Sequence, residues 1–351
     1  MHWDLCLVVG LTILFAVFFA VANGWNDAAN AIATVVSTRT MAPWAAVAMG
    51  AVMNLVGAFI SGKVANTVGG EIVDHRTVTL PATVFLAAVM VAPLWAVVCT
   101  LRGLPISCSH SLLGGLIGAV GVSAGWSALQ GGQGLYKILF GVLISPVMGF
   151  VLGYLMMLAL SWIFRRLRPT TATSFFGKLH ILSAGSMALA HGAGDAQPPM
   201  GIIAGALVAG GFLTRVSDDA LPMPWWIKLT CALAMAVGTA LGGRAVIKTL
   251  GSGLSKLKHH QGFSASAGAA TTILVNIMAK GIPVSTTHSI TGAIAGAGAT
   301  SGLRSVKWGV GRKIVTAWVL TFPACILGGA VLYWLLRLIF PGLEPAPPAA
   351  P

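Results

Sequence analysis

Long apolar runs recur from one end of the chain to the other, separated by short polar stretches. Clear examples are residues 5–22, 81–100, 139–163 and 321–340. An α-helix needs about 20 consecutive apolar residues to cross a bilayer. The pattern therefore predicts an all-α polytopic membrane protein rather than a soluble domain.

Two polar motifs interrupt this pattern, and each occurs twice in the same order. LPISCSHSLLGGLIGA at 104–119 aligns without a gap with IPVSTTHSITGAIAGA at 282–297, and NGWNDAANA at 23–31 aligns more weakly with HGAGDAQPP at 191–199. The offset is 178 positions for the first pair and 168 for the second. Two unrelated motifs that repeat in one order indicate a duplicated fold, which is typical of secondary transporters.

The duplication divides the chain into two transmembrane repeats. We expect the first repeat at 1–165, a basic cytoplasmic linker at 166–180, the second repeat at 181–340 and a disordered Pro/Ala tail at 341–351. Each repeat is predicted to begin with a helix that its polar motif interrupts, and to continue with a second, a third and a long last helix. The predicted ranges of these later helices are 43–62, 81–100 and 135–163 in the first repeat and 225–242, 263–280 and 312–340 in the second.

The two Ser/His motifs each follow an apolar run closely and precede only about 16 small apolar residues, which is marginal for a full span. We interpret each motif as the tip of a re-entrant helical hairpin, because non-helical backbone at membrane depth occurs where it lines a cavity. An ordinary helix with a buried Ser/His face is the alternative. About four crossings per repeat would make the repeats parallel, whereas inverted repeats need an odd number, and the sequence leaves this choice open.

The composition supports a membrane protein and argues against a nucleic-acid-binding protein and against a cysteine-rich domain. Charged residues are 8% of the 351 residues, whereas soluble domains carry about 25%. The net charge of +13 comes largely from Lys and Arg between apolar runs, which is the bias of cytoplasmic loops and not a sign of nucleic-acid binding. The five cysteines form no CxxC pair, so they indicate neither a disulfide framework nor a metal site.

Few ionisable residues lie in apolar sequence, and all of them belong to the repeated motifs: Asp27, Asp195, His110, His191 and His288. Such residues are expensive inside a membrane and are functional by default. For the two acids we expect function. For the histidines, a gating or proton-relay role and a structural hydrogen bond between helices remain equal alternatives.

Hydroxyl groups crowd the two tips, and a proline precedes each one. The tip residues are Ser107, Ser109 and Ser111, and then Ser285, Thr286, Thr287 and Ser289. Pro105 and Pro283 favour the start of a helix just beyond them, and a helix start presents free backbone N–H groups and a positive dipole end. Hydroxyl groups beside free backbone amides therefore predict an anion-binding site, for phosphate or sulfate.

An anion site beside two aspartates is repulsive unless these are protonated or hold cations. Asn23, Asn26, Asp27 and Asn30 offer oxygen ligands on one helical face, as a hard cation requires. Glycine at 24, 192 and 194 would permit unwinding, so that backbone carbonyls join the ligand set. The motifs together predict cation-coupled anion transport.

These motifs resemble the inorganic phosphate transporter (PiT) family over nearly the whole chain, most specifically at 281–299. The resemblance implies an inverted duplicated repeat with two re-entrant hairpins, where phosphate meets Na⁺ or H⁺ without a further cofactor. It implies substrate-binding residues Ser107, Cys108, Ser109, Ser285, Thr286, Thr287, Asn26, Asp27 and Asp195. For the coupling cation it implies Asn23, Asn26, Asp27, Asn30, Asp195 and Gln197. A bacterial plasma (inner) membrane location and a homodimer are also expected.

The chain departs from the family pattern at Gly194, where Asn is usual, at Pro198-Pro199, where polar or basic residues are usual, and at Cys108, where Thr is usual. Missing ligand oxygens make proton coupling or a metal–phosphate ion pair an alternative to paired sodium sites. Sulfate is an alternative substrate.

Two other functional classes fit the motifs less well. An intramembrane aspartyl protease would use Asp27 and Asp195, but the chain lacks the Tyr-Asp and Pro-Ala-Leu motifs of such enzymes. A channel would suit the hydroxyl-rich tips but leaves the acids beside an anion site unexplained. We therefore expect a transporter and not an enzyme.

Overall fold

The computed structural model is helical and describes residues 2–73, 78–129, 133–217, 220–280, 282 and 284–343. Within these residues the chain forms thirteen α-helices, and its only β-pairing is two isolated bridges. The first six helices are α1 (His2–Ser37), α2 (Pro43–Gly57), α3 (Lys63–Gly70), α4 (Ala82–Leu101), α5 (Cys108–Ser123) and α6 (Gln133–Ile163). The remaining seven are α7 (Pro169–Asp195), α8 (Gln197–Ala209), α9 (Trp225–Leu241), α10 (Arg244–Lys248), α11 (His259–Lys280), α12 (Thr286–Ala299) and α13 (Trp308–Ile339).

Four helices of the described chain are long and apolar enough to cross a bilayer, namely α1, α4, α6 and α13. A fifth candidate span consists of α9 and residues 244–253, which bend away from it by 65°. This total of at most five candidate spans is smaller than the total expected from the sequence, which was about four crossings in each of the two repeats. Helices α7 and α11 are long enough but carry many Ser, Thr, Gly and His residues.

The two tips begin helices that lie in the interior of the molecule. Helix α5 packs against α4, and α12 packs against α11, so each tip joins two neighbouring helices. Helix α12 is buried along its whole length, and α5 is buried from Cys108 to Gly121. Pro283, expected just before the second tip, lies outside the described residues.

The helices of the two halves exchange partners. Helix α1 packs along α9 of the other half, and α2 packs along α7. In the same way α5 packs along α13, and α6 packs along α12. Each of these four contacts between halves therefore has a counterpart with the roles of the halves reversed.

The expected interruption of both first helices is found in one half only. Helix α1 continues unbroken through 23–31, whereas α7 ends at Asp195 and α8 begins at Gln197. The prediction that Gly24 allows unwinding is therefore wrong. A Cβ at Gly24 would collide with the carbonyl oxygen of Met235, and one at Gly192 would collide with that of Asn54. These two glycines permit close helix packing.

Several boundaries differ from the expected ones. The second helix of the first half ends at Gly57, and the short helix α3 that follows it was not predicted. The expected linker at 166–180 is mostly the beginning of α7, which starts at Pro169. Of the expected Pro/Ala tail, residues 341–343 form a 3₁₀ turn, and the rest lies outside the described residues.

Candidate functional site

The two intramembrane acids lie together with one histidine. Asp27 comes from the middle of α1, and His191 and Asp195 come from the last turn of α7. His191 Nε2 is 3.2 Å from Asp195 Oδ2 and 3.7 Å from Asp27 Oδ2. All three side chains are buried. Two acids 168 positions apart in the sequence thus form one site.

Hydroxyls from both tips donate to these carboxylates. Ser109 Oγ donates to Asp195 Oδ1 at 2.9 Å, and Thr286 Oγ1 donates to Asp195 Oδ2 at 2.5 Å. Thr287 Oγ1 lies 3.1 Å from Asp27 Oδ1 and 2.8 Å from the carbonyl oxygen of Ile106. Ser109 and Thr287 occupy equivalent positions of the repeat, and each reaches the aspartate of the opposite half.

Ser107 and Ser285 begin the two tip helices. Each is in an extended conformation, and its Oγ accepts a hydrogen bond from the backbone N–H three residues ahead, on His110 at 3.3 Å and on His288 at 3.1 Å. This is the N-cap arrangement that Ser favours. The predicted helix starts are therefore correct, and the positive ends of α5 and α12 converge on the acids.

Three asparagines of α1 line the same site with their amide oxygens free of protein donors. Asn23 Nδ2 donates to the carbonyl oxygen of Asp195, and Asn26 Nδ2 donates to that of Leu104, so an acceptor fixes the nitrogen of each amide. Asn30 Nδ2 donates to the hydroxyls of both Thr286 and Thr287. The three buried Oδ1 atoms accept no hydrogen bond from the described chain.

Pro198 and Pro199 explain why only the second motif breaks its helix. In an α-helix each N–H donates to the carbonyl four residues earlier, and proline has no N–H. The carbonyls of Gly194 and Asp195 therefore lose their helical donors, and Asn23 Nδ2 donates to that of Asp195 at 3.0 Å instead. The equivalent positions of α1 are Asn30 and Ala31, which keep their N–H groups, so α1 continues.

One expected site residue, Gln197, is hydrogen-bonded to α3, and a second, Cys108, differs from its counterpart in chemistry. Gln197 Oε1 accepts from the backbone N–H groups of Val64 and Ala65 at 2.8 and 3.1 Å, so it caps α3. Its Nε2 donates to the carbonyl oxygen of Ala193. Cys108 is buried at the position equivalent to Thr286, and its thiol is a weaker donor than the threonine hydroxyl.

The other two motif histidines form a ring cluster of their own. His110 and His288 meet edge to face with ring centroids 4.9 Å apart. His288 also lies 3.8 Å from the ring of Trp318, and His110 lies 5.0 Å from that of Phe322. Only His191 of the three histidines forms an ion-pair contact with the acids within the described chain.

The chemistry of this donor set fits a cation. One ligand atom each from Asp27, His191 and Asp195 can be chosen so that all lie within 4.8 Å of one another. Carboxylate and amide oxygens suit a hard cation such as Na⁺, Mg²⁺ or Mn²⁺, and an imidazole nitrogen adds affinity for divalent ions such as Fe²⁺ or Zn²⁺.

Sequence reasoning missed Asn54 and Thr239. Asn54 Oδ1 lies 2.9 Å from His191 Nδ1, and Asn54 Nδ2 lies 2.9 Å from Thr239 Oγ1. The available signal was a single Asn in the otherwise apolar helix α2.

Comparisons with known proteins agree on one protein family. Residues 23–329 match the phosphate transporter family. A protein of Rhizobium meliloti (strain 1021), described as a probable low-affinity inorganic phosphate transporter, is 43% identical over 334 residues, which cover 95% of this chain and 97% of that protein. A protein of Bacillus subtilis (strain 168) with the same description is 36% identical over 338 residues, covering 96% of this chain and 100% of that protein.

A solved structure called "The sodium-dependent phosphate transporter" has the same fold. Its TM-score is 0.83 at 22% sequence identity, and the match covers 95% of this chain and 99% of that one. The fold, the apolar helices and the relatives agree with the resemblance that the motifs carry. The chain belongs to the phosphate transporter family and is an integral plasma-membrane transporter, not an enzyme.

Proposed function

We propose that the protein imports inorganic phosphate in symport with a cation, either Na⁺ or H⁺. The similar proteins of R. meliloti and B. subtilis are described as low-affinity inorganic phosphate transporters. The name of the similar solved structure includes sodium dependence, which makes Na⁺ the first cation to test.

One observation carries the coupling: two buried carboxylates lie between two helix N-termini. The positive ends of α5 and α12 suit an anion. The hydroxyls of Ser109 and Thr286, which donate to Asp195 in the structure, would donate to phosphate once a cation occupies the carboxylate. Asp27 and Asp195 repel that same anion, because Coulomb repulsion is strong in a buried site. A cation bound by these carboxylates and the asparagine oxygens removes the repulsion.

Coupling then follows from thermodynamic linkage. If the cation raises phosphate affinity, phosphate must raise cation affinity by the same factor. Phosphate accompanied by a divalent cation is a variant of this scheme, since Asp27, His191 and Asp195 offer ligands for such an ion. We also propose that the repeats are inverted and that the tips are re-entrant, which the exchanged packing of the halves supports.

The test is uptake of labelled phosphate by proteoliposomes, with labelled sulfate in parallel. An imposed Na⁺ gradient, an H⁺ gradient and added Mg²⁺ or Mn²⁺ are compared separately. We expect one cation gradient to drive phosphate accumulation, and we expect Asp195→Asn to abolish it, because the neutral amide holds a cation weakly. Asp4→Asn, at the exposed start of α1, is the control and should transport normally.

Three results would overturn the proposal. Accumulation of sulfate without phosphate would identify a sulfate permease. Gradient-driven phosphate uptake by Asp195→Asn at the wild-type rate would remove the carboxylate from the coupling mechanism. Currents far above carrier rates without gradient coupling would indicate a channel.

A further inference from the structure

Asn54 is a buried polar residue of α2 that belongs to neither repeated motif. Its Oδ1 lies 2.9 Å from His191 Nδ1, and its Nδ2 lies 2.9 Å from the hydroxyl of Thr239 on α9. Thr239 Oγ1 in turn donates to the carbonyl oxygen of Met235 at 2.9 Å. A single chain of hydrogen bonds thus runs from α9 through α2 to α7.

The direction of this chain fixes the orientation of the Asn54 amide. A hydroxyl has one hydrogen, and Thr239 gives it to Met235, so Thr239 can only accept from Asn54. Nδ2 of Asn54 therefore faces Thr239, and Oδ1 faces His191. Because Oδ1 is an acceptor, Nδ1 of His191 must carry a hydrogen.

The other ring nitrogen of His191, Nε2, faces the acids and has no hydrogen-bond partner among the described residues. Nε2 lies between Asp195 Oδ2 at 3.2 Å and Asp27 Oδ2 at 3.7 Å. The backbones hold this arrangement in register, since Gly192 and Gly57 lie where any Cβ would collide with the carbonyls of Asn54 and Leu189. Helices α2 and α7 therefore meet at the level of the relay.

We propose that Asn54 and Thr239 form a positioning relay, which orients His191 so that Nδ1 is protonated and Nε2 serves the cation held by Asp27 and Asp195. The role of this cation rests on the function proposed above. Neither relay residue touches the cation. Their effect passes through His191, as partners of a metal-bound histidine fix its tautomer and ring orientation.

A purely structural role, in which Asn54 only ties α2 to its neighbours, predicts a different outcome. Loss of the relay would then lower thermal stability and the amount of active protein, while the half-saturating cation concentration would not change. The positioning role predicts a change in cation affinity with the maximal rate largely retained.

Thr239→Val is the sharpest variant, because it leaves both His191 and Asn54 in place. Without the hydroxyl acceptor the Asn54 amide is free to rotate and to present Nδ2 to His191. We expect the half-saturating coupling-cation concentration in phosphate uptake to rise about tenfold, with the maximal rate retained. Asn54→Leu should act in the same direction, and Thr239→Ser should restore the wild-type value.

Thr272→Val is the matched control. Thr272 is buried in α11, and its hydroxyl donates to the carbonyl oxygen of Gly268 four residues earlier at 2.9 Å, as that of Thr239 does to Met235. The control should leave cation dependence unchanged. An equal shift in Thr272→Val, or no shift in Thr239→Val, would overturn the positioning role.

The protonation of Nδ1 can be measured without transport. Solid-state ¹⁵N NMR of the histidine-labelled full chain in bilayers distinguishes protonated from unprotonated ring nitrogens, and the spectrum of His191→Gln assigns the signal among the eight histidines. We expect a protonated Nδ1 in the wild type and loss of that signal in Thr239→Val. An unprotonated Nδ1 in the wild type would overturn the relay. If no cation gradient drives phosphate uptake, the proposed function fails, and this spectrum still decides the orientation of His191.

Discussion

Gln197 lies in the second polar motif, two residues after Asp195, and the role of this one residue shows whether a place in the motif implies cation binding. Its Oε1 accepts from two backbone N–H groups at the start of α3. We expect Gln197→Leu to lower the free energy of unfolding by about 1–3 kcal/mol, because it leaves buried donors unsatisfied. The half-saturating cation concentration should stay at the wild-type value. Thermal unfolding and cation titration of phosphate uptake measure the two effects.

Gln197→Glu provides the comparison for this variant. The carboxyl group keeps an acceptor oxygen for the amides of Val64 and Ala65 and, in its protonated form, an O–H for the carbonyl of Ala193, so Gln197→Glu should be more stable than Gln197→Leu. If Gln197→Leu instead raised the half-saturating cation concentration strongly without loss of stability, Gln197 would be a ligand of the cation.

The sequence predicts the acids and the tip hydroxyls of the site better than it predicts the hydrogen-bond partners around them. Asp27, Asp195 and the tip hydroxyls stand out because they are polar residues repeated in apolar sequence, and the structure brings them together. Asn54 is a single Asn in an apolar helix and is not repeated in the other half, and it reaches His191, 137 positions away, through tertiary packing alone. Gln197 was expected near the acids from its place in the motif, but the helix break turns it toward α3.

At the level of elements, close glycine contacts hold the site helices together. A Cβ at Gly24 would collide with Met235 on α9, and a Cβ at Gly192 would collide with Asn54 on α2. Gly24→Ala and Gly192→Ala should each destabilise the protein by about 1–3 kcal/mol through overpacking. Thermal unfolding in detergent is the measurement. Gly177→Ala, where a Cβ meets no atom within 4 Å, is the control and should not destabilise; equal stability of all three variants would contradict this account.

The sequence predicts where helices start more accurately than where they break. The starts of α5 and α12 follow from Ser caps, which act through local hydrogen bonds. The break after Asp195 also has a local cause, the missing N–H groups of Pro198 and Pro199. The continuity of α1 does not follow from its sequence, because a glycine can either permit unwinding or, as Gly24 does, admit a neighbouring helix.

At the level of the whole molecule, the exchanged packing makes each half depend on the other. Helix α5 lies along α13, α6 along α12 and α1 along α9. Helix α12 of the second half is buried throughout and packs along α6 of the first, so its surface would lose much of its protein cover if the second half were alone. The site is divided as well, since Asp27 belongs to the first half and Asp195 to the second. The duplication is visible in the sequence, but this interlocking is not, because equivalent helices could equally pack within their own half.

We therefore expect that neither half folds alone. Residues 1–166 and 167–351, separated in the turn between α6 and α7, should each be degraded or aggregate when expressed singly. Their co-expression should restore assembled protein and cation-driven phosphate uptake, because the cut leaves every helix intact. Size-exclusion chromatography and proteoliposome uptake measure both outcomes, and full-length protein cleaved at an inserted protease site in the same turn is the control. A monodisperse first half with the thermal stability of the full chain would show that packing within each half suffices and that the exchanged contacts contribute little.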